Sequence, residues 1–179
     1  EANASGLLLG RADPPLDEVG VVQAAQIAAV VQAGARVFSS PLGRCVQTAQ
    51  AYGADVEIVD DLIELDYGDF DLTSMSDIPV DTMREWRSNP DFTPPNGESL
   101  QHLADRVGGF LDSVAESSID QDVAIFSHVS PIKASMAWAL GVGIDISWRS
   151  HVAQASICLI EVYKRGPSLH AFNRIDHLG

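Results

Sequence analysis

The stretch that most constrains the fold is residues 36–49, which read RVFSSPLGRCVQTA. A short apolar run at 37–38 is followed by two serines, a proline and a segment of helical character. Pro41 suits the first position of a helix, because its missing N–H would have no partner there. Ser39 or Ser40 can cap the free amides. The stretch therefore predicts a strand, a tight turn and a helix.

This order of elements places Arg44 in the first turn of the helix, where backbone amides and the helix dipole favour an anion. A guanidinium at that point can hold two phosphate oxygens at once. The alternative is an ordinary surface arginine on a strand–helix unit. The stretch by itself does not decide between a phosphate site and a surface residue.

Composition narrows the class of protein. The net charge of −14 argues against nucleic acid or an anionic membrane surface as a partner. No apolar run approaches the length of a membrane span. Cys45 and Cys158 are the only cysteines, which indicates a reducing compartment and neither a disulfide framework nor a zinc site. We therefore expect a cytoplasmic protein without a bound metal, folded as a single domain over residues 1–179.

The rest of the chain alternates helices and strands. The patterns predict helices at 17–31, 98–116 and 131–140, strands at 56–59 and 122–126, and a hairpin of strands at 156–163 and 168–173. A strand–helix–strand rhythm predicts parallel pairing with right-handed crossovers. The apolar face expected on the first helix consists of Val19, Val22, Ile27, Val30 and Val31. The apolar face expected on the helix at 98–116 consists of Leu100, Leu103, Val107, Phe110, Leu111 and Val114.

The segment at about 72–96 interrupts this rhythm. It shows little periodicity beyond a short helix near 80–87, and it contains turn sequences at 89–90 and 94–97. We expect it to be a small insertion over one edge of the sheet.

A second strand-to-helix junction repeats the layout of the first. Residues 122–133 (DVAIFSHVSPIK) run from an apolar strand, expected to be buried, through Ser127 and His128 to Pro131 and a further helix. In open α/β sheets, binding sites form at the carboxyl ends of strands. The two junctions can therefore bring Arg44 and His128 face to face.

An acidic segment at 61–71 (DLIELDYGDFD) carries five carboxylates in a partly apolar frame. One of them could be held in a site as a general acid. The alternative is a solvated acidic loop after a strand, and the segment alone favours that alternative.

Six short blocks lie in order over nearly the whole chain. They are GRADPPLDEVG at 10–20, SSPLGRCVQT at 39–48, LIELDYG at 62–68, GES at 97–99 followed by Arg106, SH at 127–128, and Asn173 with His177 and Leu178. Each block is weak alone, but together they resemble the histidine phosphatase superfamily, also called phosphoglycerate-mutase-like. The resemblance implies a three-layer α/β/α sandwich with a mostly parallel sheet, and a phosphohistidine mechanism that needs neither metal nor cofactor.

The resemblance also implies roles for particular residues. The family's pocket uses an arginine and a late histidine, here Arg44 and His128, to stabilise charge on the phosphoryl oxygens. Its general acid corresponds to Glu64. The N–H of Val129 and the side chain of Arg11 are further expected contacts to the substrate.

The family's nucleophile is a histidine in an Arg-His-Gly loop, a sequence that the printed chain does not contain. The family's spacing would put this loop just ahead of Glu1, and Asn3 would then match the loop asparagine of the substrate site. We therefore expect the natural protein to start upstream of Glu1.

Four residues depart from the family pattern. Val129 stands where the family has glycine, Lys133 stands where it has arginine, and Asp71-Leu72 stands where it has Glu-Gly. These changes bear on how the substrate fits rather than on the type of reaction.

Three functions are compatible with the resemblance. The first is hydrolysis of a small phosphorylated metabolite, with a homodimer left open as the assembly. The second is a phosphoglycerate-type mutase, which usually has a longer, basic insertion after the acidic motif, whereas residues 72–96 contain only Arg84 and Arg87 as cations. The third, which applies if the chain is complete as printed, is a non-catalytic phosphate-binding protein. The short insertion favours the hydrolase.

Overall fold

The computed structural model describes residues 6–31, 33–53, 55–118 and 120–179. The helices within these ranges are α1 (Glu18–Val30), α2 (Gly43–Ala51), α3 (Val80–Ser88), α4 (Leu100–Ser117) and α5 (Val129–Leu140). The strands are β1 (Arg36–Ser39), β2 (Val56–Ile58), β3 (Val123–Phe126), β4 (Ile157–Tyr163) and β5 (Gly166–Arg174).

The first three strands form a parallel sheet in the order β2-β1-β3, and β4 pairs with β5 as an antiparallel hairpin. The predicted α/β fold with a parallel sheet is therefore confirmed. Ser39 at the end of β1 pairs in register with Phe126 at the end of β3. The carboxyl ends of these two strands consequently lie side by side, and the helices that follow them begin at the same edge of the sheet.

Helix α4 supplies much of the main core. Six of its residues are buried, with apolar side chains recurring every three or four positions, as the sequence predicts: Leu100, Leu103, Val107, Phe110, Leu111 and Val114. The ring of Phe110 meets the ring of Phe38 on β1 edge to face, with centroids 5.2 Å apart. Each fully buried side chain of this kind stabilises the fold by about 1.5–3 kcal/mol.

An aromatic cluster connects the segment at 72–96 to the acidic segment before it. Trp86 on α3 is 2% exposed, and its ring lies 5.5–6.0 Å from those of Tyr67, Phe70, Phe92 and Trp148. Its indole nitrogen has no hydrogen-bond partner among the residues that the structure describes. The short helix expected within this segment is present as α3, and its tryptophan is part of the core.

The prediction of the buried face of the first helix is wrong, because most of the residues assigned to that face are exposed. Val19, Val22 and Val30 are 64%, 58% and 53% exposed, whereas Ala24 and Ile27 are buried. Ile27 packs in a cluster that includes Cys45 and Ala49 of α2 and Val37 of β1. Short side chains on the buried side allow the close approach of α1 and α2, and the valines are left on the outer side.

Two further details differ from the sequence-based predictions. Helix α2 begins at Gly43 and not at Pro41, because Leu42 keeps an extended backbone and its N–H is bound by the hydroxyl of Ser40 at 3.3 Å. Strand β3 is only partly buried, since Ile125 is 37% exposed. None of the helices in the described ranges combines the length and apolarity needed to cross a bilayer.

Candidate active site at the ends of β1 and β3

The two junctions meet through Arg44 and His128. Arg44 Nε donates to His128 Nδ1 at 3.2 Å, and His128 Nε2 lies 2.7 Å from Ser40 Oγ. Because Nδ1 accepts, the ring proton is on Nε2, which donates to the serine. Burial lowers the pKa of His128 to about 3, and the charges of Arg44, Arg11 and Arg106 act in the same direction. The imidazole is therefore neutral at pH 7.

The remaining donors of Arg44 hold the loop at 10–13. Its Nη1 donates to the carbonyl of Ala12 at 2.8 Å, and its Nη2 donates to the carbonyl of Gly10 at 3.0 Å. Asp13, in this loop, contacts the start of α2. Its carboxylate accepts a hydrogen bond from the N–H of Gly43 at 2.7 Å and lies 3.5 Å from Arg44 Nη1. The anion at this helix start is therefore a carboxylate of the chain itself.

Asp71 fixes the same loop from the opposite side. Its carboxylate accepts the backbone N–H groups of Gly10, Arg11 and Ala12 at 2.7, 3.0 and 2.9 Å. The loop therefore lies between the Asp71 carboxylate and the Arg44 guanidinium. The next residue, Leu72, has φ 61°, a left-handed conformation that favours glycine.

Glu64 lies at the start of α5 and is 3% exposed. Its carboxyl accepts the N–H of Leu65 at 2.7 Å and the N–H of Ser130 at 3.2 and 3.4 Å from its two oxygens. Burial raises the pKa of Glu64, while these hydrogen bonds and the charge of Arg44 oppose the rise. A solvated acidic loop is thus the wrong interpretation for this residue, which holds its proton to higher pH than an exposed glutamate.

Arg11 is directed towards carboxylates. Its Nη2 lies 3.7 Å from Glu98, and its Nε lies 3.8 Å from Asp66. Glu98 also accepts two hydrogen bonds from Arg106, at 2.7 and 2.9 Å. The two arginines thus share one carboxylate, and their charges contribute to the low pKa of His128.

The structure brings most of the sequence-predicted residues together. Arg44 contacts His128, Val129 is the first residue of α5, and Glu64 binds the amide of Ser130 in the same helical turn. Arg11 belongs to the loop at 10–13, and its side chain contacts the acidic side chains of Asp66 and Glu98. Asn3 is outside the described residues.

Sequence reasoning missed several residues of the site. Ser40 was interpreted only as a helix cap, and Asp13 only as part of a motif, although both contact the Arg44–His128 pair. Ser130 carried no signal, because nothing local relates it to Glu64, which lies 66 positions earlier. The one signal in the sequence was that Glu64 lies in one family motif, at 62–68, and Ser130 directly follows another, at 127–128.

Cys45 also touches the histidine, with its sulfur 3.5 and 3.6 Å from the ring nitrogens of His128. Burial raises the pKa of the Cys45 thiol to about 12, so the sulfur stays protonated and unreactive. Within the described residues, no group of three or more histidine, cysteine, aspartate or glutamate side chains is arranged to hold a metal ion.

Comparison with known proteins identifies the class. The family model described as the histidine phosphatase superfamily (branch 1) matches residues 1–175, and the chain belongs to this family. A "Bifunctional protein Rv2228c" of Mycobacterium tuberculosis is 34% identical over an alignment of 169 residues, which covers 89% of this chain and 46% of the relative. The chain thus spans about half the length of that relative. Phosphoserine phosphatase 1 of Hydrogenobacter thermophilus is 30% identical over 190 residues, covering 100% of this chain and 90% of the relative.

Solved structures agree with this assignment. The α-ribazole phosphatase from Shigella flexneri matches with a TM-score of 0.83 at 25% identity, over 97% of this chain and 91% of the other. A phosphoserine phosphatase from Entamoeba histolytica, solved with phosphoserine, matches the fold with a TM-score of 0.90 over 98% of this chain and 92% of the other, at 22% identity. The predicted family and fold are confirmed.

Proposed function

We propose that the natural protein hydrolyses a small phosphorylated metabolite, without a metal, through a phosphohistidine intermediate. The observation that carries the proposal is the contact of Arg44 with His128 next to a buried carboxyl group, Glu64, whose pKa is raised by burial. The named relatives, which include phosphoserine and α-ribazole phosphatases, support a phosphomonoester as the substrate class.

The donors of the site suit a phosphoryl group. Without a ligand, Arg44 donates hydrogen bonds to His128 and to the carbonyls of Gly10 and Ala12. A bound phosphate would accept some of these hydrogen bonds instead. An anion beside the imidazole favours its charged form, so we expect the pKa of His128 to rise when phosphate binds. The two residues would then stabilise the charge on the equatorial oxygens.

The proposed reaction has two steps. A histidine nitrogen attacks phosphorus, and the leaving alkoxide takes the proton of Glu64 as the P–O bond breaks. Water then attacks the phosphohistidine, gives its proton to the Glu64 carboxylate and releases phosphate. By resemblance to the family, we assign the nucleophilic nitrogen to the histidine of an Arg-His-Gly loop.

The cations of the segment at 72–96 do not favour a mutase. Arg84 is paired with Asp81 at 2.6 Å, and Arg87 lies over the ring of Trp148, 5.5 Å from its centroid. Neither cation is left to hold a second phosphate of a bisphosphate intermediate. Two unpaired thiols, Cys45 and Cys158, support a reducing, cytoplasmic location for the protein.

The test is a screen of phosphorylated metabolites against the natural protein, with phosphate release and isomerised product measured separately. Acid-quenched labelling should detect an acid-labile phosphoenzyme. His128→Ala should reduce turnover about a hundredfold or more, the scale expected for losing one transition-state donor. The matched control is His170→Ala, which removes an exposed histidine beside Glu161 on the hairpin.

A protein that binds phosphate or vanadate but releases none from any substrate would support the non-catalytic alternative. Isomerised product without phosphate release would establish a mutase. Near-wild-type turnover in a folded His128→Ala variant would remove this histidine from the site.

A further inference from the structure

The two ring nitrogens of His128 have partners in different surroundings. Nε2 lies 2.7 Å from Ser40 Oγ, and Ser40 is 0% exposed, so this edge of the ring points into the protein interior. Nδ1 accepts from Arg44 Nε at 3.2 Å, and the same guanidinium holds the carbonyls of Gly10 and Ala12. A ligand that binds to the Arg44–His128 pair therefore meets the ring at Nδ1.

The hydroxyl of Ser40 faces the imidazole as an acceptor. Arg44 can only donate, so Nδ1 carries no proton and the ring proton is on Nε2. The N–H of Leu42 donates to the same Ser40 oxygen at 3.3 Å. The oxygen thus accepts from two donors, which use both of its lone pairs. This acceptor belongs to the side chain, so replacing Ser40 by alanine removes it.

We propose that Ser40 is a positioning residue that holds the Nε2 edge of His128 while Nδ1 exchanges Arg44 for a phosphoryl oxygen. The proposal rests on the proposed function, in which the Arg44–His128 pair binds the phosphoryl group. On binding, Nδ1 gains a proton from solvent and donates a hydrogen bond to the phosphoryl oxygen, while Nε2 keeps the proton that it donates to Ser40. The serine contact therefore distinguishes the two nitrogens both with and without the ligand.

The other groups that face the imidazole do not make this distinction. Cys45 on α2 has its sulfur almost equally far from the two ring nitrogens, at 3.5 and 3.6 Å, and 3.3 Å from the carbonyl of Ser127. Arg11 in the loop at 10–13 and Arg106 on α4 act on the ring through their charges. These charges oppose the protonated ring, whichever nitrogen holds the proton of the neutral form.

The first measurement is ¹⁵N NMR of the His128 ring in the natural protein, which reports the proton on each nitrogen. The wild type is compared with Ser40→Ala, which removes the acceptor, and Ser40→Thr, which keeps it, with and without inorganic phosphate. In the phosphate complex, the pKa of His128 should be about one unit lower in Ser40→Ala, because the charged ring loses a buried acceptor. Ser40→Thr should titrate close to the wild type.

The matched control is Ser39→Ala. Ser39 is also 0% exposed, but its hydroxyl donates to the carbonyl of Ser40 at 2.9 Å and not to the imidazole. The variant therefore loses an equally buried hydroxyl one residue earlier in the chain. It should leave the ¹⁵N signals and the pKa of His128 unchanged, whereas a general effect of losing a buried hydroxyl would appear in both alanine variants.

Turnover of nitrophenyl phosphate supplies the second measurement. A histidine that is held less firmly stabilises the transition state less, so kcat should fall about tenfold in Ser40→Ala. KM should change less, because Arg44 still binds the phosphoryl group. Ser40→Thr should restore most of kcat, and Ser39→Ala should stay close to the wild type.

The two proposals fail in different ways. A folded Ser40→Ala variant with an unchanged pKa of His128 in phosphate overturns the positioning role, whatever the turnover. A lowered pKa in a protein that hydrolyses no phosphomonoester supports the positioning of His128 and refutes the phosphatase. If phosphate leaves the His128 signals of the wild type unchanged, the pair does not bind phosphate and both proposals are wrong.

A further variant covers the case in which Ser40→Ala does not fold. Ser40→Cys keeps a side chain of similar shape, but its sulfur is a weak acceptor. The pKa of His128 in the phosphate complex should again fall below the wild-type value. An unchanged titration in this variant would count against the proposal.

Discussion

Two helices begin at the same edge of the sheet, and each binds a carboxylate at its first amides. At α2 the carboxylate is Asp13, which is 37% exposed and 3.5 Å from Arg44. At α5 it is Glu64, which is 3% exposed and accepts from the backbone N–H groups of Leu65 and Ser130. Both helix ends offer N–H donors, but burial raises the pKa of Glu64. The same backbone feature thus fixes a loop in one place and holds a proton in the other.

The largest expected effect is on turnover, where replacing Glu64 should cost far more than replacing Asp13. Glu64→Gln should slow hydrolysis of alkyl phosphates about a thousandfold, within the range of general acid catalysis, and should abolish the alkaline limb of the rate profile. Asp13→Asn should cost no more than about fivefold, since an exposed ion pair is worth up to about 1 kcal/mol. Steady-state kinetics on alkyl and nitrophenyl phosphates measure both. An equal loss on the two substrates in Glu64→Gln would indicate a structural carboxylate.

The second prediction concerns stability and pH. The pKa of His128 is about 3 in the folded chain and about 6.5 when unfolded, so its contribution is complete above pH 6.5 and is lost as pH falls. Between pH 6.5 and 4 the loss should be about 3 kcal/mol. Glu64 acts in the opposite sense, because its raised pKa makes its contribution complete below about pH 4.3 and lost as pH rises.

Urea unfolding of this chain at pH 4 to 7 measures the effect, with His128→Gln as the comparison. Glutamine can still accept from Arg44 and donate to Ser40, but it does not titrate. The variant should therefore lose much less stability than the wild type over this range. An equal loss in both would assign the pH dependence to other groups.

The third prediction isolates the exposed carboxylate. Asp13→Ala removes the acceptor for the Gly43 N–H and the partner of Arg44, and should destabilise the chain by about 1 kcal/mol, the usual value for a lost helix cap. Asp13→Asn keeps an oxygen acceptor and should lose less. The free energies of unfolding of the two variants, measured by urea titration at pH 7, test this prediction. If Asp13→Asn lost more than Asp13→Ala, the hydrogen bond to Gly43 would not be the cause.

The smallest effect concerns Leu72, which follows Asp71, the residue that binds the N–H groups of the loop at 10–13. Leu72 adopts φ 61° and is 51% exposed, so little packing depends on its side chain. Leu72→Gly should relieve the left-handed conformation and stabilise the chain by about 0.5–1 kcal/mol. Leu72→Ala, which keeps a Cβ, is the matched control and should gain nothing. Thermal or urea unfolding separates the two variants.

Long, regular patterns were the part of the fold that the sequence could predict. Helix α4 has a sustained apolar stripe, and all six residues expected on its buried face are buried. The first helix has valines on several sides, and the neighbour that selects the buried side is α2, which local periodicity does not describe. Proline at 41 suggested a helix start, but the N–H of Leu42 donates to the Ser40 hydroxyl and the helix begins at Gly43.

The site was predictable in its parts and not in its contacts. The two strand-to-helix junctions predicted that Arg44 and His128 meet at one edge of the sheet, and the family resemblance added Glu64. That Arg44 donates to Nδ1 of the histidine, and that Ser130 donates to Glu64, depends on side chains distant in sequence. Such hydrogen bonds leave no periodic signal in the sequence, because each involves a single pair of residues.

The aromatic cluster has a consequence for spectroscopy. Among the described residues, the buried indole nitrogen of Trp86 has no hydrogen-bond partner. Its neighbour Tyr67 contacts the hydroxyl of Ser130, whose backbone N–H binds Glu64. An indole in such apolar surroundings emits at shorter wavelength than one in water, and its emission is sensitive to small movements of adjacent rings. The natural fluorescence of this chain therefore contains a signal from a core residue that packs against Tyr67, close to the segment that carries Glu64. With Trp138 and Trp148 replaced by phenylalanine, that signal could follow ligand binding without any attached dye.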